Sequence, residues 1–127
     1  MIGYVTLGTN DMEKAAQFYD ALFGEMGVKR LMEGETFIAW GSGMGSPGVG
    51  VIKPFDGNAA TIGNGTMVAI ACDKPETVDR LYNKAIALGA KDEGPAGPRG
   101  ETFYAGYFRD PDGNKLNFFC MTEPASS

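Results

Sequence analysis

The sequence contains no histidine at all. That removes imidazole both as a metal ligand and as the side chain best placed for general acid–base work near neutral pH. Cysteine is scarce: Cys72 and Cys120 each sit inside an apolar, strand-like run without CxxC spacing. Buried free thiols are the simplest reading, and a disulfide is not expected in a reducing cytosol. With no histidine to activate a thiol and no serine in an elbow motif, nucleophilic catalysis has little to build on. No apolar run approaches the ~20 residues that span a bilayer, and the opening MIGYVTLGTN lacks the basic region and long apolar stretch of a signal peptide. A cytoplasmic protein without a membrane partner is expected. Lys and Arg number 11 against 16 acids and form no cluster, and the net charge of −5 makes nucleic acid an unsuitable partner.

What is present is ordinary globular material: 127 residues, 43% hydrophobic and 21% charged, with 19 glycines that call for many tight turns. One domain is expected, and no second fold fits. The clearest local signal is FYAGYFRDPDGNKLNFFCM, residues 103–121. Two β-prone runs flank Asp110-Pro111-Asp112-Gly113-Asn114, where Pro sets φ and Gly supplies the reversal, so the stretch reads as a hairpin. Alternation puts Leu116, Phe118 and Cys120 on one face of its second arm and Lys115, Asn117 and Phe119 on the other.

Along the chain, 2–8 alternates as a strand, Thr9-Asn10-Asp11 offers cap oxygens, and Met12, Ala15, Ala16, Tyr19, Leu22 and Phe23 recur on one helical face. Strands are expected at 28–33, 36–41 and 48–53, as an antiparallel meander. The run FDGNAATIGNG, 55–65, reads as a linker with no core of its own. A strand at 66–72 and a helix beginning near Pro75, with Val78, Leu81, Tyr82, Ala85 and Leu88 on one face and Gly89 as its stop, follow. Residues 90–101 read as a Gly/Pro-rich loop with room for a short strand near Lys91, and Pro124 to Ser127 as a frayed tail. Strand, helix, then strands occurs twice; a shift of 63 (82 − 19) lays Tyr82 on Tyr19 and Met67 on Tyr4. The expected fold is therefore α+β, built from two βαβββ modules: module one 1–54, linker 55–65 and module two 66–123. Each module is expected to form half of a curved mixed sheet around a cleft.

Three stretches, YVTLGTNDMEKAAQFYDALFG, GNGTMVAIACDKPETVDRLYNKAIALGA and FRDPDGNKLNFF, give the chain a resemblance to the vicinal oxygen chelate superfamily. That group includes glyoxalase I, extradiol dioxygenases and bleomycin-binding proteins. The resemblance implies a homodimer and a site in the sheet cleft. In metal-dependent members, ligands stand on the first strand, on the strand opening the second unit and on the last strand. Those positions fall on Tyr4, Met67 and Asn117, and none matches the family's ligand type. A phenol, a thioether and an amide do not make a site for Zn, Ni, Mn or Fe, and the strand at Val49 to Pro54 carries no acid. No metal and no cofactor are expected.

Met67 can adapt to a ring, Phe119 shares a face with Asn117, and Asn117 must find a partner if buried. Alternation sends some of Phe37, Trp40, Tyr104, Tyr107 and Phe119 to a cavity wall, although the core competes for Trp40. Candidate ligand-binding residues are thus Tyr4, Met67, Asn117, Phe119, Trp40 and Tyr104, whereas Lys53, Arg99 and Lys115 read as surface charges. Two functions follow as expectations. One is a metal-independent protein binding a small apolar or aromatic molecule; the other is a glyoxalase-like lyase or isomerase acting without a tightly bound metal.

Overall fold

The computed structural model describes residues 1–123, so the expected tail over Pro124 to Ser127 lies outside the described residues. Two compact units meet at Gly63 and Asn64, and each is a βαβββ module.

In module one, β1 (Tyr4–Gly8) leads to α1 (Met12–Gly24) and then to β2 (Lys29–Glu33), β3 (Phe37–Gly41) and β4 (Gly48–Ile52). The sheet order is β1-β4-β3-β2, with β1 parallel to β4 and the remaining pairs antiparallel. Helix α1 starts where Asp11 accepts a hydrogen bond from the Lys14 amide at 3.0 Å, while the Thr9 hydroxyl accepts from the Asp11 amide at 3.1 Å. Its buried face, with Phe18, Tyr19, Leu22 and Phe23, covers the side of the sheet that carries Leu7, Ile38, Trp40 and Val51.

Module two repeats the order with β5 (Val68–Ala71), α2 (Pro75–Ala87), β6 (Lys91–Pro98), β7 (Phe103–Arg109) and β8 (Lys115–Met121), arranged β5-β8-β7-β6. The two helices are offset by 63 (75 − 12) at both ends, as the sequence register predicts. Val78, Leu81, Tyr82 and Ala85 of α2 are buried, as are Phe108, Leu116, Phe118 and Cys120 on the sheet. Gly106 lets the helix approach, because a Cβ there would stand 2.9 Å from the Tyr82 ring. The β7–β8 turn is tied by Asp110 Oδ1, which accepts from the amides of Asp112 and Asn114 at 2.9 Å each, and Gly113 takes a φ of 92°.

Two expectations change. Residues 91–98, expected as a loop with a short strand, form the full edge strand β6; its two register shifts flank Gly94, and an edge position tolerates prolines. The 55–65 segment is no bare linker either. Asn10 donates to the Ala60 carbonyl at 3.1 Å and accepts from the Ala60 amide at 2.6 Å, which pins the segment to the start of α1. Among the described residues no helix is long and apolar enough to cross a membrane.

Candidate functional site

Each sheet has one face covered by its helix and one face turned away, and the chemistry of the second face differs between the modules. In β4, GVGVI, Val49 and Val51 pair with the helix-side residues Trp40 and Ile38, so Gly48, Gly50 and Ile52 point the other way. The glycines leave room for rings. A Cβ on Gly50 would stand 2.7 Å from the Phe37 ring, which lies over that strand, and Phe37 meets Tyr4 edge to face at 6.3 Å between centroids. A register shift between Arg30 and Met32 in β2 brings Leu31 against Gly41, where a Cβ would lie 2.7 Å from Leu31 Cδ1. The result is a pocket of ≈ 180 Å³, lined by Tyr4, Leu31, Met32, Phe37, Ala39 and Met44 among others, with no charged residue. Tyr4, Met32 and Met44 remain exposed, an unusual density of large apolar side chains for one surface.

A second pocket of ≈ 490 Å³ lies at the carboxyl ends of β1 and β4, bounded by Thr9, Lys53, Pro54, Phe55 and Asn58. The 55–60 segment that closes it is the one the Asn10–Ala60 clamp holds.

On module two, Asn117 lies on the face opposite Leu116 and Phe118, flanked in register by Ala69 on β5 and Tyr107 on β7. It is 1% exposed, and its Oδ1 has no hydrogen-bond partner. A buried acceptor without a donor costs about 1–3 kcal/mol, so its retention on the helix-free side marks that side as a candidate binding surface. Phe119 shares this face and stacks with Phe103 at 5.4 Å, and Met67, one residue before β5, is partly exposed in the same alternation. Two cations stand beside Tyr107, Arg99 and Lys115, each 5.5 Å from the ring centroid.

Two of the six expected site residues do not join these faces. Trp40 is in the core of module one, tilted against Tyr19 at 5.4 Å and donating its indole N–H to Asp20 at 2.9 Å. Tyr104 faces α2 and donates to Asp79 at 2.6 Å. Both follow from strand phase: Trp40 pairs with Val49, and Tyr104 with Cys120. Phe37, one of the aromatics that alternation could send to a cavity wall, does line this pocket, whereas sequence reasoning missed Met32 and Met44. The two methionines carried no signal beyond their bulk.

The titratable groups near α2 are tuned away from neutrality. Burial pushes the Cys72 thiol up to about 11 and also raises Cys120. Tyr82 is pushed up to about 12 by burial and by donating to Asp92, and Tyr104 is raised chiefly by its bond to Asp79.

The resemblance implies ligand positions at Tyr4, Met67 and Asn117. Tyr4 opens β1, Met67 precedes β5 and Asn117 lies in β8, while β4 offers only Gly48, Gly50 and Ile52 to the helix-free side. Among the described residues no three of His, Cys, Asp or Glu converge. A phenol, a thioether, an amide and two glycines do not fit a borderline or hard divalent cation.

A model of the Glyoxalase/Bleomycin resistance protein/Dioxygenase superfamily matches residues 1–118. Among curated proteins none matches the chain. Of solved structures, a glyoxalase/bleomycin resistance protein from Albidiferax ferrireducens is 35% identical, with a TM-score of 0.85 over 94% of this chain and 98% of that one. A hypothetical protein from S. aureus is 27% identical, with a TM-score of 0.73 over 92% and 91% of the two chains. Lactoylglutathione lyase from Agrobacterium tumefaciens, 18% identical with a TM-score of 0.73 over 94% and 92%, shares the fold.

Proposed function

The chain belongs to the Glyoxalase/Bleomycin resistance protein/Dioxygenase superfamily, and from that premise we propose that it binds a small apolar or aromatic organic molecule without a tightly held metal ion. The observation that carries this reading is the module-one pocket. Its ≈ 180 Å³ is near the roughly 150 Å³ of an engineered apolar cavity that accepts benzene. Two aromatic rings and two methionines suit a flat, neutral ring: aromatic edges and faces give directional contacts, and thioethers adapt to shape. Gly48 lines the pocket, and Gly50 makes room for the Phe37 ring beside it. The donor set at Tyr4, Met67 and Asn117 supports the metal-free part of the proposal. Free thiols at Cys72 and Cys120 agree with a cytoplasmic location, and the family resemblance supports a homodimer.

A lyase or isomerase working through protein groups alone would need an acid or base with a pKa near the working pH. The thiols and phenols on the α2 side of module two are shifted upward, and Asp73, Asp92 and Glu93 are shifted downward, all away from neutrality. The binding reading is therefore the better supported of the two.

Calorimetric titration with indole, a neutral bicyclic ring, tests it. Saturable one-site binding is expected, and Phe37→Ala should weaken it by about 1 kcal/mol, roughly fivefold, through loss of ring contact. Absence of saturable heat with indole and with a wider panel of neutral aromatics, or equal affinity in the variant, would remove the pocket from consideration.

A further inference from the structure

The helix-free face of module two carries charge of the sign this acidic chain has least of. Lys91, Arg109 and Lys115 stand side by side in register across β6, β7 and β8. Like charges directly opposite one another on a sheet repel. Glu93 answers one of them, pairing with Arg109 at 2.6 Å, while Lys91 and Lys115 make only weaker electrostatic contributions to that carboxylate. A further cation is brought in from the end of β6: Arg99 folds back over the strand, with Nη1 donating to the carbonyls of Gly97 at 3.0 Å and Pro98 at 3.4 Å. Its Nη2 donates to the carbonyl of Pro95 at 2.7 Å. These carbonyls hold the guanidinium in place without neutralising it.

The seat for Arg99 is built into the strand. Gly94 takes a φ of 150°, and a Cβ there would lie 3.2 Å from Arg99 Nη2 and 3.4 Å from the Tyr107 ring. Arg99 and Lys115 are thereby both set 5.5 Å from the centroid of Tyr107. Neither has a carboxylate within ion-pair distance among the described residues. Directly across the ladder from Tyr107 stands Asn117, 1% exposed, with Oδ1 lacking a donor. Two cations without an ion pair of their own, an aromatic ring and a buried acceptor without a donor thus share one face of the sheet. A single ligand can complete all of them.

We infer that this face binds a small organic carboxylate that also carries an O–H or N–H donor. The carboxylate meets Arg99 and Lys115, the body of the molecule lies by Tyr107, and the donor reaches Asn117 Oδ1. Lys115 and Asn117 are two residues apart on β8, roughly 7 Å along the strand, which is the scale of one substituted six-membered ring. Charge-assisted hydrogen bonds supply the strength, and the buried acceptor supplies selectivity, because a ligand without the donor leaves it unmet. The inference goes beyond the proposed ring pocket, uses none of its residues and stands or falls separately.

The test uses the whole protein and four probes in low-salt buffer: 4-hydroxybenzoate, 4-hydroxybenzamide, 4-methylbenzoate and 4-methylbenzamide. By calorimetry, 4-hydroxybenzoate should bind tightest, roughly tenfold above the amide that lacks its charge and the methyl compound that lacks its donor. Lys115→Met, a change at a partly exposed position that leaves Arg99 in place, should shrink the preference for carboxylate over amide several-fold and leave that for hydroxyl over methyl. Asn117→Leu should do the reverse. Added salt should weaken the carboxylates and leave the amides unchanged. Equal affinity for carboxylate and amide in the wild type, both preferences undiminished in both variants, or no saturable binding of any probe would overturn the inference. Binding of indole with the Phe37 dependence described above is untouched by any of these outcomes, so the two proposals fail separately.

Discussion

At the scale of single residues, Gly48 and Gly50 show how one strand serves two purposes. The valines of GVGVI feed the core under α1, and the glycines between them hold the opposite face open. Their surroundings differ. A Cβ on Gly48 would stand 2.9 Å from the Trp40 carbonyl oxygen, which belongs to the neighbouring strand and cannot swing aside. On Gly50 the nearest atom is Phe37 Cε2 at 2.7 Å, the far end of a side chain that can rotate, with the Ile38 carbonyl oxygen at 3.1 Å. Gly48→Ala should therefore lose about 1–3 kcal/mol of stability through forced backbone movement. Gly50→Ala should lose less and instead displace Phe37, weakening indole. Urea midpoints for the two variants, beside indole titrations, check the pair; a Gly48→Ala protein as stable as wild type would show that the strands separate more easily than the contact implies.

At the scale of elements, the internal repeat makes a second comparison possible. Asp11 caps α1 with a side-chain bond to Lys14, but the residue 63 positions later is Lys74, which caps α2 with no side-chain bond at all. Pro75 and Glu76 compensate in part, the first by fixed φ and the second by charge at the positive end of the helix. Asp11→Ala should cost about 0.5–2 kcal/mol, whereas Lys74→Asp should gain up to about 1 kcal/mol by restoring the missing acceptor. Thermal unfolding of both variants measures this, and a neutral Lys74→Asp would mean that Pro75 and Glu76 already make up for the missing cap. Both helices were legible in the sequence to within a residue or two, because cap, periodicity and stop agree there. Edge strand β6 was not, since its prolines and glycines read as breakers and only position at the sheet edge makes them tolerable. Strand phase split the same way. LNFFC carries its own phase through Asn117, but FIAWG and FYAGYF are apolar on both faces, so nothing local could tell that Trp40 and Tyr104 point at helices. The placement of Arg99 beside Tyr107 depends on the bulged backbone at Gly94, which no periodicity encodes.

At the scale of the whole molecule, the acidic chain without histidine has to be reconciled with a fold whose metal-dependent members need imidazole and carboxylate. Sixteen acids are available, yet among the described residues none forms a group of three suitable ligands. Several are committed elsewhere: Asp20 and Glu33 to Arg30, Glu93 to Arg109, and Asp92 to Tyr82. Recruiting one of them to a cation would break an existing bond, and Met67 and Asn117 would bring no charge to offset that loss. Protein dialysed extensively without chelator should accordingly contain far less than one Zn, Ni, Mn or Fe per chain by elemental analysis. A second readout follows from linkage: a metal that binds the folded state raises the unfolding temperature by mass action, about 2.7 kcal/mol of stabilisation at a hundred times its Kd. Titrating Zn, Ni, Mn or Fe(II) into the dialysed protein should leave the melting temperature where it was, and a chelator should not lower it. One retained metal per chain, or a saturable upward shift with any of the four, would mean that Tyr4, Met67 and Asn117 are poor guides to the ligand set and that the chain assembles donors from elsewhere.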